Sequence, residues 1–183
     1  IDVGAHSIAL SIASTSFMVY LGLAQGISIR ASQFIGADMP KSAAYTVRIG
    51  MAWSLLFALL LSLVLLLNRP FLVSLYTTDS LVTTLAIDLL VFAAIFQLAD
   101  CLQAVAISAL RAYHETKSPP VYQLIAFWIL GLPMGVALGF YSPWSWLAGA
   151  NGFWMAMVVS LFVAGILMLV KLKSIIRLSL LSS

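Results

Sequence analysis

Asp100 is the residue of this chain whose type and position point most directly to chemistry. It lies within a mainly apolar run and precedes Arg111 by 11 residues. If the run is a helix, each residue turns 100°, so Gln97 and Gln103 lie about 60° to either side of Asp100 and Phe96 about 40° away. The spacing predicts one polar face on an otherwise apolar helix.

The chemistry predicted for Asp100 is the binding and release of a cation. A carboxylate at the middle of a bilayer costs at least ~2.5–3.5 kcal/mol, so it normally faces a helical bundle interior or a wet cavity. Such a group can exchange a proton or a metal ion, here Na⁺, for a cationic substrate. We therefore predict ion or proton coupling at Asp100, with Phe96, Gln97 and Gln103 lining or supporting a cavity. The alternative is a structural acid that is hydrogen-bonded between helices.

Four further polar or reactive residues carry weaker signals. Asp88 lies 12 residues before Asp100 and about 120° around the helix, which favours a solvated acid near the membrane surface. His6 and His114 have no partner at metal-ligand spacing, so both are predicted to be interfacial polar residues. Cys101 is the single cysteine and is predicted to be a small buried apolar residue.

Pro133 lies in the segment GLPMGVALG, between glycines. A proline within a helix removes one backbone hydrogen bond and kinks the helix. In transporters such a point can be a hinge, and small residues beside it also permit close helix packing. The sequence leaves a moving hinge at Pro133 and a static packing kink as equal alternatives.

The elements that must position these residues are membrane-spanning helices. The chain of 183 residues is 63% hydrophobic and 8% charged, whereas soluble domains average about 45–50% apolar and about 25% charged residues. A spanning helix needs about 20 mainly apolar residues. We predict an all-α polytopic bundle with five spanning helices in a membrane domain over residues 1–170, followed by a cytoplasmic tail over 171–183. The predicted helices cover about 3–29, 49–68, 80–110, 121–140 and 152–170.

The distribution of Lys and Arg predicts the orientation. With five alternating spans, one side receives only Arg69, and the other side receives the remaining eight basic residues. The basic-rich side is expected to be cytoplasmic, which places the C-terminus inside and the N-terminus outside. Trp144 and Trp146 then fall in an outer loop, where interfacial Trp is expected. An outside N-terminus predicts at least one further helix upstream.

Enzyme and nucleic-acid functions are not supported by any motif. The chain contains no HExxH, no GxSxG and no phosphate-binding loop, and no second acid is placed to pair with Asp100. We therefore predict no enzyme activity, no cofactor other than a coupling ion, and no nucleic-acid partner.

Several segments resemble one transporter family. The stretch from Phe92, FAAIFQLADCLQAVAISALRAYHETKSPP, is similar to the tenth helix and following loop of the multidrug and toxic compound extrusion (MATE) family, in its NorM-like bacterial branch. Further similarities follow in the family's order and cover nearly the whole chain: VGAHSIALSIASTSFM, IRASQFIGA, SLYTTD, FWILGLPMG and GANGFW.

The resemblance implies twelve helices in two lobes, of which this chain is similar to helices eight to twelve. It implies an antiporter of the inner membrane that exports organic cations or drugs in exchange for Na⁺ or H⁺, together with an N-terminal lobe of the same polypeptide. Asp100 matches the acid of the tenth helix that is implicated in cation coupling. Two departures are Phe96, where the family often has Tyr, and Ala112, where the loop pattern has Gly.

Two alternatives remain open. A related flippase of lipid-linked intermediates would favour several basic residues at membrane depth, and all nine Lys and Arg fall outside the predicted spans. A non-transporting membrane assembly subunit would use Asp100 as a contact between helices.

Overall fold

The chain folds as an all-helical bundle in a computed structural model that describes residues 2–141, 144 and 149–181. Trp146, expected in an outer loop, lies outside the described residues. The elements follow in chain order: α1 (Asp2–Gly36), α2 (Pro40–Leu67), α3 (Arg69–Ser74), α4 (Ser80–Ala112), α5 (Ser118–Leu124), the π-helix π1 (Ile125–Gly131), α6 (Leu132–Tyr141) and α7 (Ala150–Leu181).

Within the described residues, five helices are long and apolar enough to cross a bilayer, which confirms the predicted number. They cover Val3–Gly36, Pro40–Leu67, Ser80–Ala112, Ser118–Tyr141 and Ala150–Leu181. The fourth of these combines α5, π1 and α6 in one continuous helix.

Helix ends extend beyond the apolar runs from which they were predicted. The second span was expected to begin at residue 49 and begins at Pro40, where proline is accepted because the first helical N–H groups have no intrahelical partner. The expected tail from residue 171 continues α7 through Leu181. Both differences have one cause: a charged residue marks where the helix leaves the hydrocarbon, but the backbone hydrogen bonds continue through the headgroup region.

Helix α4 lies at the centre of the bundle and packs against α1, α2 and α7. Alanine is the commonest residue at its buried positions, for example Ala86, Ala93 and Ala106. Small side chains let helix backbones approach closely, which is how helices associate where lipid removes the hydrophobic driving force. A hydroxyl adds to this packing, since Ser62 Oγ on α2 donates to the Ala94 carbonyl on α4 at 2.8 Å.

The fourth span changes its winding immediately before Pro133. Over π1 the backbone forms the wider π-helix, and the Leu132 N–H donates to the carbonyl of Phe127, five residues back. Pro133 has no N–H to donate, and a widened turn relieves the contact that its ring would make with the preceding turn. The structure thus gives the local form of the irregularity at Pro133, while the hinge there stays a prediction.

Glycines set the distance between this span and α7. A Cβ built on Gly131 would lie 2.5 Å from Oγ of the buried Ser160, and one built on Gly139 would lie 2.6 Å from the Phe153 ring. Ser160 Oγ in turn donates to the Ala156 carbonyl at 2.7 Å. The two glycines therefore let the fourth span pack against α7 at a distance that a larger side chain at either position would increase.

We expect Gly131→Leu to lower the free energy of unfolding by about 1–3 kcal/mol, the usual cost of overpacking a close contact. Gly22→Leu is the matched control, because a Cβ at Gly22 meets nothing within 4 Å. The measurement is the thermal unfolding midpoint of the purified protein in detergent. Equal midpoints for the two variants would contradict the close contact of π1 with α7.

Two acids cap helices at opposite ends of α4. Asp79 Oδ1 accepts hydrogen bonds from the Leu81 and Val82 N–H groups at 2.9 and 3.1 Å and so caps α4. After α4, Glu115 Oε1 accepts from the Ser118 and Lys117 N–H groups at 3.1 and 3.2 Å. These bonds hold the pKa of the Glu115 carboxyl below its usual range.

Candidate functional site

Asp100 is half-buried on α4 and accepts a hydrogen bond from α1. The Tyr20 hydroxyl donates to Asp100 Oδ2 at 2.9 Å, and the Tyr20 side chain is completely buried. A neutral donor to a carboxylate satisfies one of its acceptor sites and leaves others free for a ligand. The structure therefore places one polar pair, Tyr20 and Asp100, inside an otherwise apolar contact between α1 and α4.

A cavity opens beside this pair, with a volume of about 240 Å³. Since a water molecule occupies about 30 Å³ in the liquid, the space suits a hydrated ion or part of an organic ligand. Its lining residues come from α1 and α4: Leu10, Ala13, Ser14, Phe17, Phe96 and Asp100. Two of the residues predicted to share the site, Phe96 and Asp100, therefore do line one cavity.

The two glutamines predicted beside Asp100 do not line this cavity, and their supporting role stays a prediction. Neither Gln97 nor Gln103 is among the residues that line the cavity, and both are buried. Among the described residues, the Gln97 amide oxygen and nitrogen and the Gln103 nitrogen have no hydrogen-bond partner. Helix α4 has neighbours on several sides, so residues about 60° to either side of Asp100 need not line the same space as its carboxylate. The hydrogen bond to the carboxylate comes from Tyr20 instead.

An aromatic contact links the cavity wall to α7. The Phe96 ring packs edge-on against Trp154 with ring centres 5.7 Å apart, and Trp154 packs in the same way against His6 on α1. The Trp154 indole N–H donates to His6 Nδ1 at 3.1 Å. His6, expected to be an interfacial polar residue, is therefore part of the contact of α1 with α7.

The remaining polar candidates lie away from the cavity. Asp88 is exposed on α4, and His114 lies in the loop after it with a φ of 61°. Cys101 is buried, as predicted. Within the described residues no group of three or more His, Cys, Asp or Glu side chains could hold a metal ion. Among the residues that line the cavity, Asp100 is the one with an acidic side chain.

Sequence reasoning missed Tyr20 and the partnership of His6 with Trp154. The signal for Tyr20 was present but weak: one tyrosine in the middle of the first apolar span. Its partner lies 80 residues away in the chain, and no spacing rule joins residues on different helices.

An apolar bundle of five spanning helices with a half-buried carboxylate beside a cavity is the architecture of a polytopic membrane protein with a polar site between its helices. The sequence model of the MatE family matches residues 1–137. The chain belongs to this family of multidrug and toxic compound extrusion proteins, which confirms the resemblance of its motifs.

Two relatives show how far the similarity reaches. The multidrug resistance protein PmpM of Pseudomonas aeruginosa is 34% identical over 170 residues, which are 93% of this chain and 36% of that protein. The probable multidrug resistance protein NorM of Idiomarina loihiensis is 37% identical over 176 residues, 96% of this chain and 38% of that protein. The chain thus spans somewhat more than a third of the length of these relatives.

Solved structures share the fold. The crystal structure of the eukaryotic MATE transporter AtDTX14 matches with a TM-score of 0.84 and 19% identity. An inward-facing multidrug resistance MATE family transporter of the MOP superfamily matches with a TM-score of 0.84 and 13% identity. Each match covers 96% of this chain and 40% of the other chain.

Proposed function

We propose that this chain is most of the C-terminal lobe of an exporter that expels organic cations or drugs in exchange for Na⁺ or H⁺. The observation that carries the proposal is the Asp100–Tyr20 pair beside a cavity, in a chain of this family. Relatives named as multidrug resistance proteins support the substrate class. A lobe that spans about two fifths of the solved transporters needs the other lobe to enclose a substrate path.

The proposed mechanism is alternating access driven by the charge on Asp100. The carboxylate binds the coupling cation, and Tyr20 holds one carboxylate oxygen so that the other faces the cavity. A ligand can shift a two-state equilibrium only by its difference in affinity for the two states. The coupling ion and the cationic substrate therefore must favour opposite openings of the two lobes.

The orientation proposed for this transporter follows from its basic residues. Eight of the nine Lys and Arg lie on the side of the loops after α1 and α4 and of the end of α7. This bias favours a cytoplasmic C-terminus in the inner membrane.

Phe96 is proposed to present an aromatic face to the cationic substrate, because its ring lines the cavity beside Asp100. We expect Phe96→Ala to raise the ethidium concentration for half-maximal efflux by roughly 2- to 30-fold, since a cation–π contact contributes about 0.5–2 kcal/mol. Phe96→Tyr retains the ring and should keep substrate affinity. Phe71→Ala is the control, because this phenylalanine is 62% exposed on α3.

The test of the function is ethidium efflux by the full-length protein in an efflux-deficient bacterium. Efflux above the empty-vector control, abolished by a protonophore or by Na⁺ removal, is expected. Dependence on Na⁺ but not on the proton gradient identifies the ion, and the converse identifies H⁺. Efflux that survives both treatments would contradict the coupled antiporter.

The flippase alternative is not favoured by the cavity. Lipid-linked intermediates carry phosphate charge, and no Lys or Arg lines the space beside Asp100. A non-transporting assembly subunit would need no ion gradient. Ethidium efflux that stops on Na⁺ removal or on addition of a protonophore therefore distinguishes a transporter from such a subunit.

A further inference from the structure

A groove lies between α2 and α7, and it shares no lining residue with the cavity at Asp100. This α2–α7 groove has a volume of about 470 Å³. Two cations, Arg48 and Lys173, line it together with apolar side chains that include Met51, Leu169 and Ile176. The two helices contact each other only weakly here, so the groove is a lengthwise gap with an apolar floor.

Both cations lie at the depth of lipid headgroups. Arg48 precedes the 20 uncharged residues 49–68, which form the rest of α2 and the residue after it. Helix α7 is uncharged from Ala150 to Val170. At 1.5 Å per residue, each stretch is about 30 Å long, the thickness of the bilayer hydrocarbon. Arg48 and Lys173 therefore lie at the boundary between hydrocarbon and headgroups, on the same side of the bundle.

No acidic side chain among the described residues forms an ion pair with Arg48 or Lys173. Among the described residues, the ion pair of this region joins Lys171 to Glu115, with Lys171 Nζ 3.8 Å from Glu115 Oε2. No acidic residue lines the α2–α7 groove. Two exposed cations beside an apolar gap are complementary to a molecule with an anionic head and an apolar tail.

We propose that the α2–α7 groove binds an anionic glycerophospholipid. The phosphate lies between Arg48 and Lys173, and an acyl chain lies along Met51 and Leu169 toward the membrane centre. Basic pockets between helices at the membrane surface are the sites at which anionic lipid headgroups bind. The site does not involve Asp100 or its cavity, so it stands independently of the proposed transport function.

The test is native mass spectrometry of the purified full-length protein titrated with phosphatidylglycerol or with phosphatidylcholine of the same acyl chains. We expect Arg48→Gln with Lys173→Gln to weaken phosphatidylglycerol binding by roughly 10- to 30-fold, at about 1 kcal/mol for each basic residue. The charge-conserving variant, Arg48→Lys with Lys173→Arg, should retain most of the wild-type phosphatidylglycerol binding. Lys41→Gln with Lys117→Gln removes the same charge from exposed positions on this side, outside the groove, and should leave binding unchanged.

Two further arms separate a lipid from a free phosphate. Leu169→Trp fills the apolar floor and is expected to weaken phosphatidylglycerol binding with both cations present. Competition with glycerol 1-phosphate should fail at concentrations where phosphatidylglycerol saturates the protein. Equal loss of binding in the groove and control variants, or full displacement by glycerol 1-phosphate, would overturn the proposal. If the variant with Arg48→Gln and Lys173→Gln does not fold, Leu169→Trp alone tests the proposal. Unchanged phosphatidylglycerol binding by Leu169→Trp would then overturn the proposed lipid site.

Discussion

Asp100→Asn is expected to reduce ethidium efflux to the background of cells without the transporter, a fall of at least about tenfold, or 1.4 kcal/mol of coupling. The asparagine has nearly the same shape and can still contact the Tyr20 hydroxyl, so packing around the site is retained. It carries no charge, so neither Na⁺ nor a proton can be held there in exchange for a cation. The measurement is efflux rate at matched membrane levels of the two proteins.

Asp88→Asn is the control for this prediction. Asp88 is on the same helix, has the same side chain and is exposed. We expect its substitution to leave efflux unchanged. If Asp100→Asn exports ethidium as fast as the wild type, Asp100 is a structural acid and the site assignment is wrong. If both variants fail equally, a general loss of negative charge is the cause.

Tyr20→Phe is expected to lower efflux less severely than Asp100→Asn and to change its ion requirement. The substitution removes the hydroxyl that donates to Asp100 at 2.9 Å and keeps the buried ring. Hydrogen bonds to charged groups contribute about 1.5–3 kcal/mol, so the ion concentration for half-maximal efflux should change by roughly 10- to 100-fold. The measurement is efflux over a series of Na⁺ concentrations and of pH values.

The matched control removes a hydroxyl that has no role at the site. Tyr141→Phe acts on a tyrosine that is 81% exposed at the end of α6, and its efflux curve should coincide with that of the wild type. A Tyr20→Phe efflux curve that coincides with those of the wild type and of Tyr141→Phe would contradict the role of the Tyr20 hydroxyl at Asp100.

The number of spanning helices and the acid among them could be predicted from the sequence. Hydropathy measures the cost of placing each residue in hydrocarbon, and this cost depends on the residue and its immediate neighbours alone. A carboxylate within an apolar span is conspicuous for the same reason. Local chemistry was therefore sufficient to select Asp100, and the helical repeat was sufficient to place Phe96 on its side of α4.

Helix ends and helix partners could not be predicted in this way. The start of α2 at Pro40 lies outside the apolar run, where hydropathy has no signal. The π-helix before Pro133 depends on a backbone adjustment that residue types do not specify. Gln97 and Gln103 illustrate this limit. The helical repeat gives their angle of about 60° from Asp100, but it does not specify which neighbouring helix packs at that angle.

The residues of the chain alone, through their transfer energies and the period of the helix, predict a five-span helical membrane protein with one acid, Asp100, well inside an apolar span. The packing of α1 and α7 onto α4 determines which groups meet around that acid: the Tyr20 hydroxyl bonds to Asp100, Trp154 packs against Phe96, and Gln97 does not line the cavity. The reason is that a helix satisfies its backbone locally, whereas contacts between helices depend on close fit of side chains distant in the chain.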